Sequence, residues 1–168
     1  MQREGDFVEC GVNSGIFSRA IMEYLEFQKH SDRKFYLLDT FAGLVPGTID
    51  EKKREQINRK YPDIYSQVVD CFRPFPNAVF VRGSIPGTLD QVAAEKIAYL
   101  SIDMNCVQSE QDAVRHFWPR LTSGAVVLVD DYGFRGYEDQ KRAWDAFAES
   151  VNVPILQMPT GQAVILKP

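Results

Sequence analysis

The chain has 168 residues, 45% of them hydrophobic and 25% charged, which is typical of one globular domain with a substantial core. Its formal net charge is -4 at pH 7 and its basic residues are scattered, so nothing indicates a nucleic-acid partner. No apolar run approaches the roughly 18 residues of a membrane span, and the three irregularly spaced cysteines indicate reduced thiols, so we expect a cytoplasmic protein.

Short apolar runs alternate with helix-like stretches along the chain. Residues 6–10 form the first predicted strand, and a glycine turn leads from them into a predicted helix over 14–28 with Ser14 as its N-cap. Further strands are predicted at 34–38, 77–81, 97–102 and 125–129. Helices are predicted over 108–121, ahead of Gly124, and over 137–150.

The last two predicted strands, 154–158 and 162–166, are too close for a parallel crossover of about a dozen residues, so they must pair antiparallel. The pattern therefore predicts a single α/β domain over 1–168. Its sheet is expected to be Rossmann-like, doubly wound, mostly parallel and seven-stranded, with a C-terminal antiparallel hairpin. Residues 43–76 interrupt the alternation with two helical pieces, which form either a lid over a ligand or a surface insertion.

Acidic residues follow two of the predicted strands. Asp103 follows the run 97–102, and Asp130 and Asp131 follow the run 125–129. If these strands are parallel neighbours, three carboxylates meet at the carboxyl edge of the sheet, where open α/β sheets bind ligands. Adjacent strands lie about 4.8 Å apart, which is close enough for one hard divalent cation to be shared.

Turns after the first three strands indicate a cofactor. The turn from Glu9 to Gly15 lets a ligand approach the backbone, but it does not match Gly-x-Gly-x-x-Gly, which disfavours a nicotinamide or flavin. Asp39 ends the second strand, where an acid can accept both hydroxyls of a ribose. Ser84 follows the third strand and either lies beside an adenine ring or caps the next helix.

Together these segments resemble the class I S-adenosylmethionine-dependent methyltransferases, and within them the macrocin O-methyltransferase family, which methylates sugar hydroxyls of macrolide and related antibiotics. The matching segments are Phe7-Val-Glu-Cys-Gly-Val-Asn-Ser-Gly15, Leu38-Asp-Thr-Phe-Ala-Gly-Leu44, Leu100-Ser-Ile-Asp103 and Val129-Asp-Asp-Tyr-Gly133. The resemblance implies an S-adenosyl-L-methionine- and Mg2+-dependent O-methyltransferase. The implied acceptor is a hydroxyl of a small molecule, such as a sugar of a glycosylated natural product.

The resemblance also implies roles for individual residues. Residues implied to bind the cofactor are Glu9, Gly11 and Ser14 at its methionine part, Asp39, Thr40 and Phe41 at the ribose, and Gly83 and Ser84 at the adenine, with Asp103 nearby. Implied magnesium ligands are Asp103, Asp130 and Asp131. Implied catalytic residues are Asp103, Asn105 and Asp131.

The sequence departs from the family in two places. The family has a second acid, its general base, two residues after Asp103, whereas this chain has Asn105, and an amide cannot accept a proton at neutral pH. Activation of the hydroxyl by the metal, use of another group and loss of activity are the alternatives, and we favour the first. The first strand also begins within the first ten residues, so the family's N-terminal substrate-covering segment is expected to be missing. The acceptor pocket would then be open, formed by residues 43–76, or completed by another chain of a homo-oligomer.

Two other classes of function stay open. Asn105 motivates a catalytically inactive cofactor-binding module, and the acids alone would suit a metal-dependent hydrolase. Tyr132, beside the acid pair, either lines the substrate cavity or packs in the core. We expect no nucleic-acid or membrane partner.

Overall fold

The computed structural model describes residues 4–47 and 50–168, without the side chains of Lys53 and Ile57. Its strands are β1 Asp6–Cys10, β2 Phe35–Asp39, β3 Ala78–Arg82, β4 Ile97–Ile102, β5 Leu121–Val129, β6 Leu156–Gln157 and β7 Ala163–Leu166. They form one sheet in the order β3-β2-β1-β4-β5-β7-β6. The first five strands are parallel, and β7 runs antiparallel to both β5 and β6. The predicted fold class, including the closing hairpin, is confirmed.

Helices cover both faces of this sheet. They are α1 Ile16–Tyr24, α2 Glu51–Asn58, α3 Tyr65–Cys71, α4 Val107–Phe117 and α5 Glu138–Ser150. Strand β2 shows the layering, because Phe35 and Leu37 belong to one buried cluster and Tyr36 and Leu38 to the other. The first cluster includes residues of α1 and α3, and the second includes residues of α4 and α5. Near-continuous apolar runs are what strands buried on both faces require.

Helix α1 is shorter than the predicted 14–28, and several apolar residues that recur at helical spacing along it are exposed. Its N-cap is Gly15, at φ 74°, whereas Ser14 is exposed and does not cap it. The buried residues of α1 are Ser18 and Met22, while Ile16 and Tyr24 are 77% and 88% exposed. Burial of the polar Ser18 is tolerated because its hydroxyl donates to the Gly15 carbonyl at 3.3 Å.

Strand β5 begins earlier than predicted. Leu121, expected at the end of the preceding helix, is its first residue, and Gly124 lies inside the strand at φ 71°. The register with β4 shifts between Ile97 and Tyr99, because β5 accommodates extra residues there, as in a β-bulge. Regular pairing resumes toward the carboxyl edge, so the irregularity stays away from the acids that follow the strand.

Candidate active site at the carboxyl edge of the sheet

Three carboxylates meet where β4 and β5 end. Ile102 pairs with Val129, and the Asp130 amide donates to the Ile102 carbonyl at 3.1 Å, which places the residues after the two strands side by side. One carboxylate oxygen from each of Asp103, Asp130 and Asp131 lies within 4.8 Å of the others. The predicted convergence of these acids is therefore observed.

The acids repel one another and are partly shielded from water. Burial raises the pKa of Asp103 to about 7, and the charges of Asp130 and Asp131 add to this effect. Burial and the charge of Asp130 raise the pKa of Asp131 to about 6. The Asp131 Oδ2 atom is buried and accepts no hydrogen bond. A buried carboxylate oxygen without a partner, beside two further carboxylates, fits a hard divalent cation.

The hairpin and α5 hold the loop that carries the acid pair, through contacts with Asp130 and Tyr132. Gln162, just before β7, donates its amide hydrogen to Asp130 Oδ1 at 2.7 Å. Tyr132 is 6% exposed and donates its hydroxyl to Asp145 of α5, while Lys141 donates to the same hydroxyl at 2.8 Å. These contacts favour the core-packing interpretation of Tyr132 over a place in the substrate cavity.

Asn105 lies beside the acids in a left-handed backbone conformation, at φ 55°, which asparagine adopts more readily than most residues. Its amide nitrogen is 3.5 Å from Asp103 Oδ1, and its amide oxygen accepts a hydrogen bond from the Tyr137 hydroxyl. Burial raises the pKa of Tyr137, and the charges of Asp131 and Asp103 add to this effect. Asn105 is thus held between Asp103 and Tyr137 at the edge of the acid cluster.

The glycine turn after β1 lies directly against the acid-bearing strand end. Gly11 has φ 88°, and a Cβ added to it would lie 1.6 Å from the Asp103 carbonyl oxygen. Only glycine allows this approach. The turn expected to hold the cofactor and the first metal-ligand candidate are therefore in backbone contact.

Asp39 ties the glycine turn to β2. Its Oδ2 accepts the backbone N–H groups of Val12 and Asn13, each at 2.7 Å. Its Oδ1 accepts the N–H of Phe41 at 2.7 Å and lies 3.3 Å from the Thr40 hydroxyl, whose single hydrogen has a shorter contact with the Gly43 carbonyl. One acceptor position on Oδ1 is left, so Asp39 as it stands can take one ribose hydroxyl and not both.

A cavity lies beside the acids at this edge. Of the residues expected to bind the cofactor, it is lined by Gly11, Asp39, Thr40, Phe41, Gly83, Ser84 and Asp103. Ser84 caps no helix, because the 3-10 turn that follows it has Thr88 as N-cap, so the capping alternative is wrong. Glu9 and Ser14 do not line the cavity, and Ser14 is exposed at the surface.

Glu9 is instead buried behind the turn. It is 3% exposed, and its Oε2 atom has no hydrogen-bond partner. Burial raises its pKa to about 8, the nearby Ser18 hydroxyl opposes the shift, and the charges of Asp103 and Asp39 add to it. The role that the resemblance implies for Glu9, beside the methionine part of the cofactor, stays a prediction.

Residues of the 43–76 excursion close one side of the cavity. Those that line it are Gly43, Leu44, Val45, Tyr61, Pro62 and Ile64. The Ile64 amide donates to the Phe41 carbonyl at 2.9 Å, and the Asn58 side chain binds both the N–H and the carbonyl of Leu44 at 2.8 Å. The excursion thus covers the cavity as a lid would, although residues 48 and 49 lie outside the described chain.

Three residues near the acids carried no sequence signal that we used. Gln162 and Tyr137 reach the cluster from elements remote in sequence, which local patterns do not reveal. Glu110, in the first turn of α4, accepts the indole N–H of Trp144 at 2.9 Å. Burial and the charges of Asp131 and Asp103 raise the pKa of Glu110 to about 7, against the effect of the Trp144 bond. The sequence did contain one signal for Glu110, because it lies in the first turn of the helix that follows β4 and Asp103.

The seven-stranded sheet, in its strand order and with its antiparallel C-terminal strands, has the Rossmann-like fold of known methyltransferases. The O-methyltransferase NovP has this fold, with a TM-score of 0.76, 22% identity and coverage of 98% of this chain and 72% of that one. CalS11, a calicheamicin methyltransferase, gives a TM-score of 0.75 at 20% identity, covering 97% and 72% of the two chains. Residues 2–160 match the family described as Macrocin-O-methyltransferase (TylF), and the chain belongs to that family.

Curated relatives share about a quarter of the sequence. The 8-demethyl-8-(2,3-dimethoxy-alpha-L-rhamnosyl)-tetracenomycin-C 4'-O-methyltransferase of Streptomyces olivaceus is 27% identical over 157 residues, covering 80% of this chain and 56% of the relative. The mycinamicin III 3''-O-methyltransferase of Micromonospora griseorubida is 27% identical over 144 residues, covering 76% and 55%. The chain thus spans little more than half the length of these relatives. Within the described residues, no helix combines the length and apolar character needed to cross a membrane.

Proposed function

We propose that this protein transfers a methyl group from S-adenosyl-L-methionine to a hydroxyl of a small molecule, with Mg2+ as a further cofactor. The observation that carries the proposal is the meeting of Asp103, Asp130 and Asp131 within 4.8 Å beside a cavity lined by the glycine turn. A sugar of a glycosylated natural product is the proposed acceptor, because the names of the two curated relatives place methyl transfer on a rhamnosyl tetracenomycin and on mycinamicin III.

The cavity supplies the groups that an adenosyl cofactor needs. Gly11 lines the cavity and lets the turn lie against the Asp103 backbone, where a Cβ would be 1.6 Å from the carbonyl oxygen. Asp39 offers one open acceptor position on Oδ1, while Gly83 and Ser84 line the cavity after the neighbouring strand β3. These groups converge from three adjacent strands, as ligand sites of open parallel sheets do.

The acid cluster suits magnesium, and Asp103, Asp130 and Asp131 are the residues that would hold it. When bound there, the ion would make the acceptor hydroxyl more acidic and so easier to methylate. The partnerless Asp131 Oδ2 supports this assignment, as do the raised pKa values of Asp103 and Asp131, because crowded carboxylates are relieved by a cation.

In methyl transfer the acceptor oxygen forms a bond to the methyl carbon as the carbon–sulfur bond breaks, and the hydroxyl gives up its proton. The residues lining the cavity would hold donor and acceptor in line, which lowers the barrier through orientation. Asn105 can orient the hydroxyl but cannot take its proton, which leaves the carboxylates of Asp103 and Asp131 as the acceptors next to it.

Asn105 also favours a second candidate, a module that binds the cofactor without catalysis. The two are separated by incubating the full chain with methyl-labelled S-adenosylmethionine, Mg2+ and a panel of glycosylated polyketides and nucleotide sugars. Label transfer that is lost in Asp130→Ala eliminates the inactive module.

Calorimetry with S-adenosylhomocysteine tests the cofactor itself, and no binding at millimolar ligand would end the proposal. Asp131→Asn should weaken Mg2+ binding while leaving the affinity for S-adenosylhomocysteine nearly intact. Equal loss of both would instead indicate a folding defect and remove the support for a metal site.

A further inference from the structure

Tyr137 reaches the acid cluster from the N-cap position of α5. Its hydroxyl donates to the Oδ1 atom of Asn105, which lies 32 positions earlier in the chain. Nothing in the glycine turn, the acid motif or the proposed reaction requires a phenol at this position. Its contact with the one residue that departs from the family pattern therefore needs its own explanation.

The contacts at both ends of Asn105 fix the orientation of its amide. A carboxylate that binds a divalent cation is ionised and can only accept hydrogen bonds, so in that state the amide group facing Asp103 Oδ1, at 3.5 Å, is the N–H2. The opposite end of the amide is then the oxygen, and the Tyr137 hydroxyl supplies the donor that this oxygen needs. The left-handed backbone at Asn105, φ 55°, directs the short side chain between these two partners.

We propose that Tyr137 is a positioning residue for the acid cluster: by holding the Asn105 oxygen, it keeps the Asn105 amide hydrogens directed at Asp103 and so orients that carboxylate for a divalent cation. This inference rests on the proposed magnesium site. In this arrangement Asn105 donates a hydrogen bond to Asp103, and its oxygen is bound by Tyr137 and does not ligate the metal. A neutral Tyr–Asn pair then lies beside the acid cluster, two positions after Asp103.

The physical reason is the role of groups that contact metal ligands without touching the metal. A carboxylate with a fixed hydrogen-bond donor spends more of its time in the geometry that the ion requires, and loss of such a donor reduces metal affinity by about 10–100-fold. The 3.5 Å separation between Asn105 and Asp103 leaves room for this bond to shorten when a cation draws the carboxylate into place.

The test is Mn2+ binding to the full chain, followed by electron paramagnetic resonance, for the unaltered protein, Tyr137→Phe, Asn105→Ala and the double variant. Each single variant should bind Mn2+ about tenfold more weakly. The double variant should be no weaker than Asn105→Ala alone, because the phenol acts through the amide. The affinity of Tyr137→Phe for S-adenosylhomocysteine should stay unchanged.

Tyr24→Phe is the matched control, since it removes the same atom from a side chain that is 88% exposed, and it should bind Mn2+ as the unaltered chain does. Unchanged Mn2+ binding in Tyr137→Phe, with binding impaired in Asp130→Asn, overturns the inference alone. Losses that multiply in the double variant also overturn it, as does joint loss of Mn2+ and S-adenosylhomocysteine binding in Tyr137→Phe. Absence of Mn2+ binding in the unaltered chain overturns the proposed magnesium site as well.

Discussion

The side-chain amide of Gln162 donates to Asp130 Oδ1 at 2.7 Å and joins the C-terminal hairpin to the acid cluster. The Thr160 hydroxyl donates to the other end of the same amide at 3.0 Å. Asp130 is therefore held by the hairpin through one of its two carboxylate oxygens. The antiparallel hairpin that closes the sheet is also part of the candidate site.

Gln162→Ala should weaken Mn2+ binding by about tenfold, because Asp130 loses the donor that orients it. Equilibrium dialysis against Mn2+ measures the change. Gln157→Ala, which removes an exposed amide from the same hairpin, should leave the affinity unchanged. Equal effects of the two substitutions would mean that the hairpin matters only for folding.

Asp39→Asn should destabilise the protein and weaken cofactor binding together. Both oxygens of Asp39 accept backbone N–H groups, so an amide nitrogen at either position would face a donor. We expect a loss of about 1–3 kcal/mol in the free energy of unfolding, measured by urea denaturation. Calorimetry should show weaker binding of S-adenosylhomocysteine, since the glycine turn is no longer held.

The control for this prediction is Asp90→Asn, at an exposed aspartate, which should change neither quantity. If Asp39→Asn weakened ligand binding at full stability, Asp39 would act as a ribose ligand and not as the tie between the turn and β2.

Stability should depend on pH through Glu9. Burial raises its pKa to about 8 from the ordinary 4.5, so between these values the folded protein holds a proton that the unfolded chain has released. Folding is then progressively disfavoured as pH rises from about 4.5 to 8, by at most about 1.4 kcal/mol per pH unit.

Glu9→Gln, which carries no charge at any pH, should make this dependence shallower, with Asp103, Asp131 and Glu110 supplying the remainder, and should raise the melting temperature at pH 8.5 relative to the unaltered chain. Thermal scans at pH 5.5 and 8.5 measure both effects. Glu95→Gln, at an exposed acid, should retain the original slope. An unchanged slope in Glu9→Gln would assign the whole pH dependence to the other buried acids, such as Glu110.

Gly11→Ala should prevent stable folding or cost about 3 kcal/mol or more, because its Cβ would lie 1.6 Å from the Asp103 carbonyl oxygen. Both partners are backbone, so no side chain can move aside. Gly87→Ala is the matched control, since its Cβ would come no closer than 3.5 Å to the Ser84 carbonyl. Near-normal stability of Gly11→Ala, measured by urea denaturation, would show that the turn can be displaced from β4.

Strand positions could be predicted from sequence because apolar runs flanked by turns and acids leave few alternatives. Asp103 and the Asp130–Asp131 pair met as expected, since carboxyl ends of parallel neighbours share one edge. Helix α1 was harder, because Ile16 and Tyr24 recur at helical spacing yet are exposed, while Ser18 is buried through a local hydrogen bond. Hydrophobic periodicity cannot predict the burial of a polar residue that satisfies its hydrogen bond within its own helical turn.

Contacts between remote loops could not be predicted either. The two donors to Asp39 Oδ2 lie 26 and 27 positions away, and Tyr137 lies 32 positions from Asn105. Such pairs depend on how loops from different strands settle against one another, which no local pattern encodes. Gly124 likewise follows the predicted helix as a C-terminal glycine would, and only the register between β5 and β4 places it inside a strand.

Helix α5 acts as a common anchor for both sides of the cluster. Its N-cap holds the loop after β4 through Asn105, and Lys141 and Asp145 hold the loop after β5 through Tyr132. Trp144 adds a connection to α4 through Glu110. Because the same helix contacts both loops, thermal motion should move the two loops together. The distance between Asp103 and the Asp130–Asp131 pair should therefore vary less than the position of either loop.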